Sequence, residues 1–206
     1  MLVAGLTGSI ATGKSTVSGI LKELGAFIVD ADRAAREVVL PGTKAFNEIV
    51  RIFGKKILQK SGEIDREHLG RIIFNDSAMR SILEEVVHPE VMHSMDEQIR
   101  SIKSGFPDAV VILDVPLLIE TGMHKGVSEV IVVYCPEDMQ ITRLMIRDNI
   151  SREDALAKVR AQISIVEKRR YATLLIDNST SRDNTRIQAE DIYVRLSEKG
   201  RESGMK

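Results

Sequence analysis

A disulfide framework, an excess of charge of one sign and a long apolar run are all missing from this chain of 206 residues. With one cysteine, Cys135, no intrachain disulfide can form, which suits a reducing compartment. At the end of an apolar run Cys135 reads as a small buried residue before it reads as a catalytic thiol. Lys and Arg total 29 against 30 Asp and Glu, a formal charge of −1. That balance argues against broad binding to nucleic acid or to a membrane surface, so any polyanion the protein holds should be small and held locally. No apolar stretch approaches the length of a membrane span. The amino terminus has no basic leader region, and its apolar run breaks at Gly5 and Gly8, as in a first strand rather than a signal peptide. Neither an internal repeat nor a low-complexity tract is visible. The expectation is a cytoplasmic protein with room for one sizeable core and a small appended region. Its oligomeric state is not legible, a monomer being the simplest expectation.

What is present centres on Gly8-Ser9-Ile10-Ala11-Thr12-Gly13-Lys14-Ser15, which matches G-x-x-x-x-G-K-[ST] at every required position. In such a loop the glycines let successive N–H groups of Gly8 through Gly13, Ala11 and Thr12 included, turn toward phosphate oxygens. The helix that follows aims its positive end at the same charge. Lys14 would reach the β- and γ-phosphates of ATP, Ser15 would offer a hydroxyl to magnesium (Mg²⁺), and Thr16 lies close enough to help hold phosphate. The motif needs a buried strand before it and a helix after it. Leu2 to Thr7 is a short apolar run. From Thr16 to Leu24 the residues Val17, Ile20, Leu21 and Leu24 share a helical face that ends at Gly25.

Further along, Ala26 to Val29 reads as a second buried strand, followed by a helix from Arg33 to about Leu40 that Pro41-Gly42 stops. No convincing strand appears between Lys44 and Gly105. Helical windows fall near 44–53, 66–74, 77–87 and 89–103, punctuated at Ser61-Gly62 and at the proline after His88. Ala109 to Leu113 is a continuous apolar run of the sort a parallel sheet buries on both faces. A parallel crossover needs only about a dozen residues, so most of 33–105 must be an inserted helical region beside the sheet. A fourth strand is expected at Ser128 to Tyr134, helices at about 137–147 and 151–169, a last strand at Leu174 to Ile176 and a final helix from Ser181 to Lys199. From Gly200 the polar tail should fray.

Four groups outside the loop carry candidate chemistry. Asp30 and Asp32 stand where the second strand meets its helix. One of them can cap that helix, while Asp32 can accept a hydrogen bond from an acceptor hydroxyl and aim it at the γ-phosphate. Asp114, after the apolar run at 109–113, stands where P-loop proteins place a magnesium-holding carboxylate, although Pro116 also favours a turn there. Arg143 and Arg147 lie one helical turn apart and share a face. That pair can be a solvated salt-bridge face, or a cationic lid that surrounds the migrating charge and expels water. His88-Pro89 can supply a substrate contact, or His88 can be an ordinary hydrogen-bonded residue.

Taken together, Gly5 to Ser15, Val29-Asp30-Ala31-Asp32, His88-Pro89, Asp114 to Glu120, Arg143 with Arg147, Gln162 and Ile176-Asp177-Asn178 resemble the dephospho-coenzyme A kinase family over nearly the whole chain. The resemblance implies a P-loop NTPase-type α/β fold of three layers with a central five-stranded parallel sheet, an inserted helical substrate region and a helical lid. It implies one kinase domain over 1–206, with 1–32, 106–136 and 172–200 as nucleotide-binding core, 33–105 as the CoA region and 137–171 as lid. It also implies ATP-dependent phosphorylation of the ribose 3′-hydroxyl of dephospho-CoA, giving CoA and ADP. Asp32 would then orient or deprotonate the hydroxyl, Lys14 and Ser15 would serve phosphate and magnesium, and Arg143 and Arg147 would be lid cations. His88 and the 114–120 loop, with Pro116, Leu117 and Glu120, would line the CoA side, and the loop near Asn178 would approach the adenine of ATP. Four positions depart from the family pattern: Ser9 and Ala11 in the loop, Lys158, and Thr173.

The nearest rival is another small P-loop kinase acting on a nucleoside, nucleotide or sugar acid, against which the length of the helical insertion and the Asp114-to-Leu118 stretch weigh. A regulatory GTPase would need an Asn-Lys-x-Asp motif and an Asp-x-x-Gly switch, and the sequence has neither.

Overall fold

A computed structural model describes residues 1–204. Its chain divides into two compact units, Met1–Val29 with Ser101–Lys206, and Asp30–Arg100.

The first unit is built on a parallel sheet of five strands: β1 (Leu2–Thr7), β2 (Phe27–Asp30), β3 (Val110–Asp114), β4 (Glu129–Tyr134) and β5 (Leu174–Asp177), in spatial order β2-β3-β1-β4-β5. The central position of β1 follows from its composition. It is apolar on both faces, pairs with β3 from Leu2↔Val110 to Leu6↔Asp114, and pairs with β4 from Ala4↔Glu129 to Thr7↔Val132. Helix α1 (Lys14–Glu23) and the last helix, named below, cover one face. Leu6, Val17, Ile20, Leu21, Ile112, Ile131, Ile176, Ile192 and Leu196 form one buried cluster there. Each such side chain contributes about 1.5–3 kcal/mol of burial free energy. The rings of Phe27 and Phe106 pack tilted at 41°, 4.8 Å between centroids.

The second unit is helical. It begins with α2 (Ala31–Glu37), α3 (Lys44–Phe53) and α4 (Arg66–Asn75), and continues into α5 (Ser77–Gly105). Ile49, Phe53, Ile57, Ile64 and Leu69 form its core, with Met79, Leu83, Val86 and Val87 of α5 packed on it. The absence of an extended strand in this stretch is as expected, apart from a single antiparallel bridge, Leu58↔Ile64. The break expected at His88-Pro89 does not occur: α5 is one helix of 29 residues with Pro89 inside it. Proline removes one backbone donor, but the apolar residues of the preceding turns are docked on the α3–α4 cluster, and packing outweighs the local cost.

Beyond β4 come α6 (Glu137–Asp148), α7 (Arg152–Arg160), α8 (Ile165–Arg169) and, after β5, α9 (Arg182–Gly204). The single helix expected over 151–169 is therefore two. The chain leaves α7 at Ala161, and Ser164 restarts it as an N-cap, accepting from the Glu167 amide. The tail expected to fray from Gly200 is instead helical as far as Gly204, and Met205 and Lys206 lie outside the described residues. Among the described residues no helix is long and apolar enough to cross a membrane.

Candidate active site

The turn after β1 carries its fold in the backbone. Thr12 closes it, the amide donating to the Ser9 carbonyl at 3.2 Å and Oγ1 to the same oxygen at 2.9 Å. Gly13 then takes φ 91° and caps α1 without any side-chain hydrogen bond, which leaves the positive end of the helix open to an anion. A β-carbon at Gly13 would run into the side-chain amide of Asn178, and one at Gly8 would lie 2.9 Å from the Val133 carbonyl oxygen. Both motif glycines are thus required by neighbours as well as by curvature. Ala11, where the family pattern has glycine, holds φ 61°. Its methyl packs with Ile10 against Ile141, Leu144, Ala155 and Val159 of α6 and α7. Ser9, the other loop departure, is buried and donates to the Ile163 carbonyl at 3.2 Å.

Lys14 and Asp114 come together as an ion pair, the carboxylate being buried and the ammonium largely so. Asp114 is the last residue of β3, opposite Leu6, rather than the first residue after the strand. Ser15 is exposed at the start of α1, so its hydroxyl is available to a ligand, and Thr16 follows it half-buried.

Arg143 reaches from α6 to the loop, donating to the Asn178 carbonyl at 2.9 Å and to the Thr12 carbonyl at 3.4 Å. Arg147, one turn on, points elsewhere: it donates to Asp148 at 2.8 Å, and Lys158 donates to the other oxygen of the same carboxylate at 3.1 Å. Those two hydrogen bonds, Arg147's being the larger effect, hold the Asp148 carboxyl down at about 2. Lys158, a departure from the family pattern, thus has a structural partner. So has Thr173, whose hydroxyl accepts from the Val130 amide at 2.9 Å where β5 joins β4.

Asn178 is buried and fully engaged. Its Nδ2 donates to the Thr12 carbonyl at 2.8 Å, its Oδ1 accepts from Thr185 at 2.8 Å, and its own amide donates to the Tyr134 carbonyl. It clamps the loop to the end of the sheet.

Pro116 and Glu120 lie with the loop that follows β3. Thr7 Oγ1 and Lys168 Nζ both donate to the Pro116 carbonyl, at 2.9 and 2.8 Å, and Lys168 also pairs with Glu120 at 2.9 Å. Leu117 is exposed beside them, while Leu118 is buried against Gly5. Lys168 was not legible as a site residue, because a run rich in arginine and lysine reads as a solvated face. It is nevertheless fully buried, and burial pushes its ammonium below the usual lysine range against the pull of Glu120, with Lys14 adding to the depression. Gln162 was legible only as part of a motif; its Oε1 accepts from the Ile10 amide at 2.9 Å.

In the helical unit, Asp30 caps α2 by accepting from the Arg33 amide at 3.0 Å. Of the two aspartates, capping therefore falls to Asp30, and Asp32 is exposed in the first turn of α2. His88 is exposed on α5. Cys135 is buried after β4, where burial pushes its thiol up.

A parallel sheet with a phosphate loop after its central strand, and the loop's lysine on a strand-end aspartate, define a P-loop protein of the kinase type. The dephospho-CoA kinase family model matches residues 2–184, and the chain belongs to that family. It is 47% identical to the dephospho-CoA kinase of Carboxydothermus hydrogenoformans over 90% of each chain. Among solved structures it resembles dephospho-CoA kinase from Campylobacter jejuni, 31% identical, TM-score 0.73, covering 95% of this chain and 97% of that one. It also resembles a protein of Thermus thermophilus, 32% identical, TM-score 0.82, covering 94% and 96%.

Proposed function

We propose that this protein transfers the γ-phosphoryl group of ATP to the ribose 3′-hydroxyl of dephospho-CoA, giving CoA and ADP in the final step of coenzyme A biosynthesis. The observation that carries this reading is the family match over residues 2–184, which takes in both the phosphate loop and the Asp114-to-Glu120 stretch.

In this reading the turn from Gly8 to Gly13, through Ala11 and Thr12, cradles the phosphates of ATP with its amides. Lys14 leaves Asp114 to follow the charge on the transferring group, and Thr16 assists. Ser15 and Asp114 offer a hydroxyl and a carboxylate, hard oxygen donors that fit Mg²⁺. When bound, the ion neutralises phosphate charge. Asp32 accepts the hydrogen bond of the 3′-hydroxyl and takes its proton as the bond to phosphorus forms; its freedom from capping, which falls to Asp30, supports the role. Arg143 stabilises charge beside the loop, and Arg147 joins it when its pair with Asp148 opens.

The segment 33–105, with His88, and the loop bearing Pro116, Leu117 and Glu120 receive dephospho-CoA. Asn178 acts at the adenine side by holding the loop. Residues 137–171 form a lid that keeps water from the phosphoryl group. The nucleotide-binding core is 1–32, 106–136 and 172–200 within one kinase domain. The protein works as a cytoplasmic monomer, with no nucleic acid or membrane partner.

Incubation with magnesium ATP and dephospho-CoA should yield CoA by mass spectrometry. A protein that leaves dephospho-CoA untouched but phosphorylates a nucleoside, nucleotide or sugar acid would refute the assignment.

A further inference from the structure

The 114–120 loop is held at both ends by ammonium groups: Lys14 sits on Asp114 at its start, and Lys168 sits on Glu120 at its end. Midway, the Pro116 carbonyl accepts two donors, Thr7 Oγ1 at 2.9 Å and Lys168 Nζ at 2.8 Å, and Leu118 fits against Gly5 so closely that a β-carbon there would lie 2.5 Å from its Cδ2. We propose that Lys168 is a positioning residue for the acceptor substrate, fixing through Pro116 and Glu120 the loop on which dephospho-CoA is received. The inference rests on the kinase reading above.

Three considerations support it. Lys168 has no exposed surface, so its ammonium has lost hydration and depends on these two acceptors. A buried ion pair adds little net stability compared with apolar residues of similar volume, so its consequence lies in fixing geometry. The hydrogen bond and ion pair of the Lys168 ammonium run to the Pro116 carbonyl and to Glu120, whereas Lys14 of the phosphate loop acts on it only through space, which weights its effect toward the acceptor loop. Its position on α8, one helical turn past Ile165 on the same buried face, explains how a lysine from a cationic stretch comes to point inward.

The test is a KM split. Lys168→Met keeps an apolar stem of similar length and removes all three donors. The wild type should form CoA, and the variant should raise KM for dephospho-CoA about tenfold or more while KM for ATP stays within about twofold. If Lys168→Met does not fold by circular dichroism, Lys168→Gln, a shorter neutral donor, should fold and show the same split at smaller size. A folded Lys168 variant with both KM values within twofold of wild type, or with both raised together, overturns the inference. A wild type that makes no CoA would instead overturn the kinase reading, so the two failures are distinct.

Discussion

The ammonium of Lys14 rests on the carboxylate of Asp114, a residue 100 positions away that the parallel pairing of β1 and β3 brings to the same end of the sheet. Each group keeps the other's charge compensated in a site with little water. Under the proposed function, arriving phosphates would compete for the lysine and release the aspartate, linking nucleotide binding to metal binding in one exchange.

Replacing Lys14 by Ala should therefore do more than weaken ATP binding. Loss of one donor aimed at charge that develops in the transition state costs roughly 10²- to 10³-fold in rate, and Asp114 is left buried without its cation. A single-turnover measurement at saturating ATP checks this; a kcat within a few-fold of wild type would remove Lys14 from the chemistry.

Asp32→Asn should lower kcat by about 10²- to 10⁴-fold, the range for a positioned general base, with the dissociation constant for ATP nearly unchanged. Because Asp30 is the residue that caps α2, the thermal midpoint should barely move. A large loss of stability with normal turnover would show that the roles of the two aspartates are reversed.

Gly13→Ala faces two obstacles, a left-handed φ of 91° and the side-chain amide of Asn178 where the new methyl would go. The conformation alone costs about 1–2 kcal/mol. Thermal denaturation should show at least that loss, and ATP affinity should fall with it. Retained ATP affinity would mean that the Thr12–Asn178 contact can give way.

The carboxyl of Asp148 should titrate at about 2, below its ordinary 3.8, because Arg147 and then Lys158 hydrogen-bond its charged form. A carboxyl depressed in the folded state adds stability at pH values above its unfolded value, and that contribution fades as the pH falls through about 2. Carbon-detected NMR titration should show the midpoint rising toward 3.8 in Arg147→Ala. If Arg147 swings to substrate on lid closure, bound nucleotide should raise it as well; an Asp148 midpoint that ignores both changes would contradict the pairing.

Most of the framework was legible because its signals are local. The apolar runs at 2–7, 109–113 and 128–134 are strands within a residue or two, and Thr43 and Asp65 cap α3 and α4 near the places that helical periodicity indicated. The misread places are those where distant contacts override local preference. Pro89 lies inside α5 because the turns before it are docked on other helices. The expected helix at 151–169 breaks near Gln162, whose side chain accepts from the Ile10 amide, with Ser9 donating to Ile163 next to it. Lys168 was hidden for the same reason, since Arg169 and Arg170 beside it face water.

By itself the sequence determined the phosphate loop, the order of strands and helices and the family, because spacing along the chain is what those features consist of. Only the tertiary structure decided that Asp30 rather than Asp32 is the cap, that Arg143 meets the loop while Arg147 turns to Asp148, and that a lysine from a cationic helix lies buried beneath the loop after β3. Those outcomes depend on which groups lose water and which partners are within reach, and both are set by the packing of segments far apart in the chain.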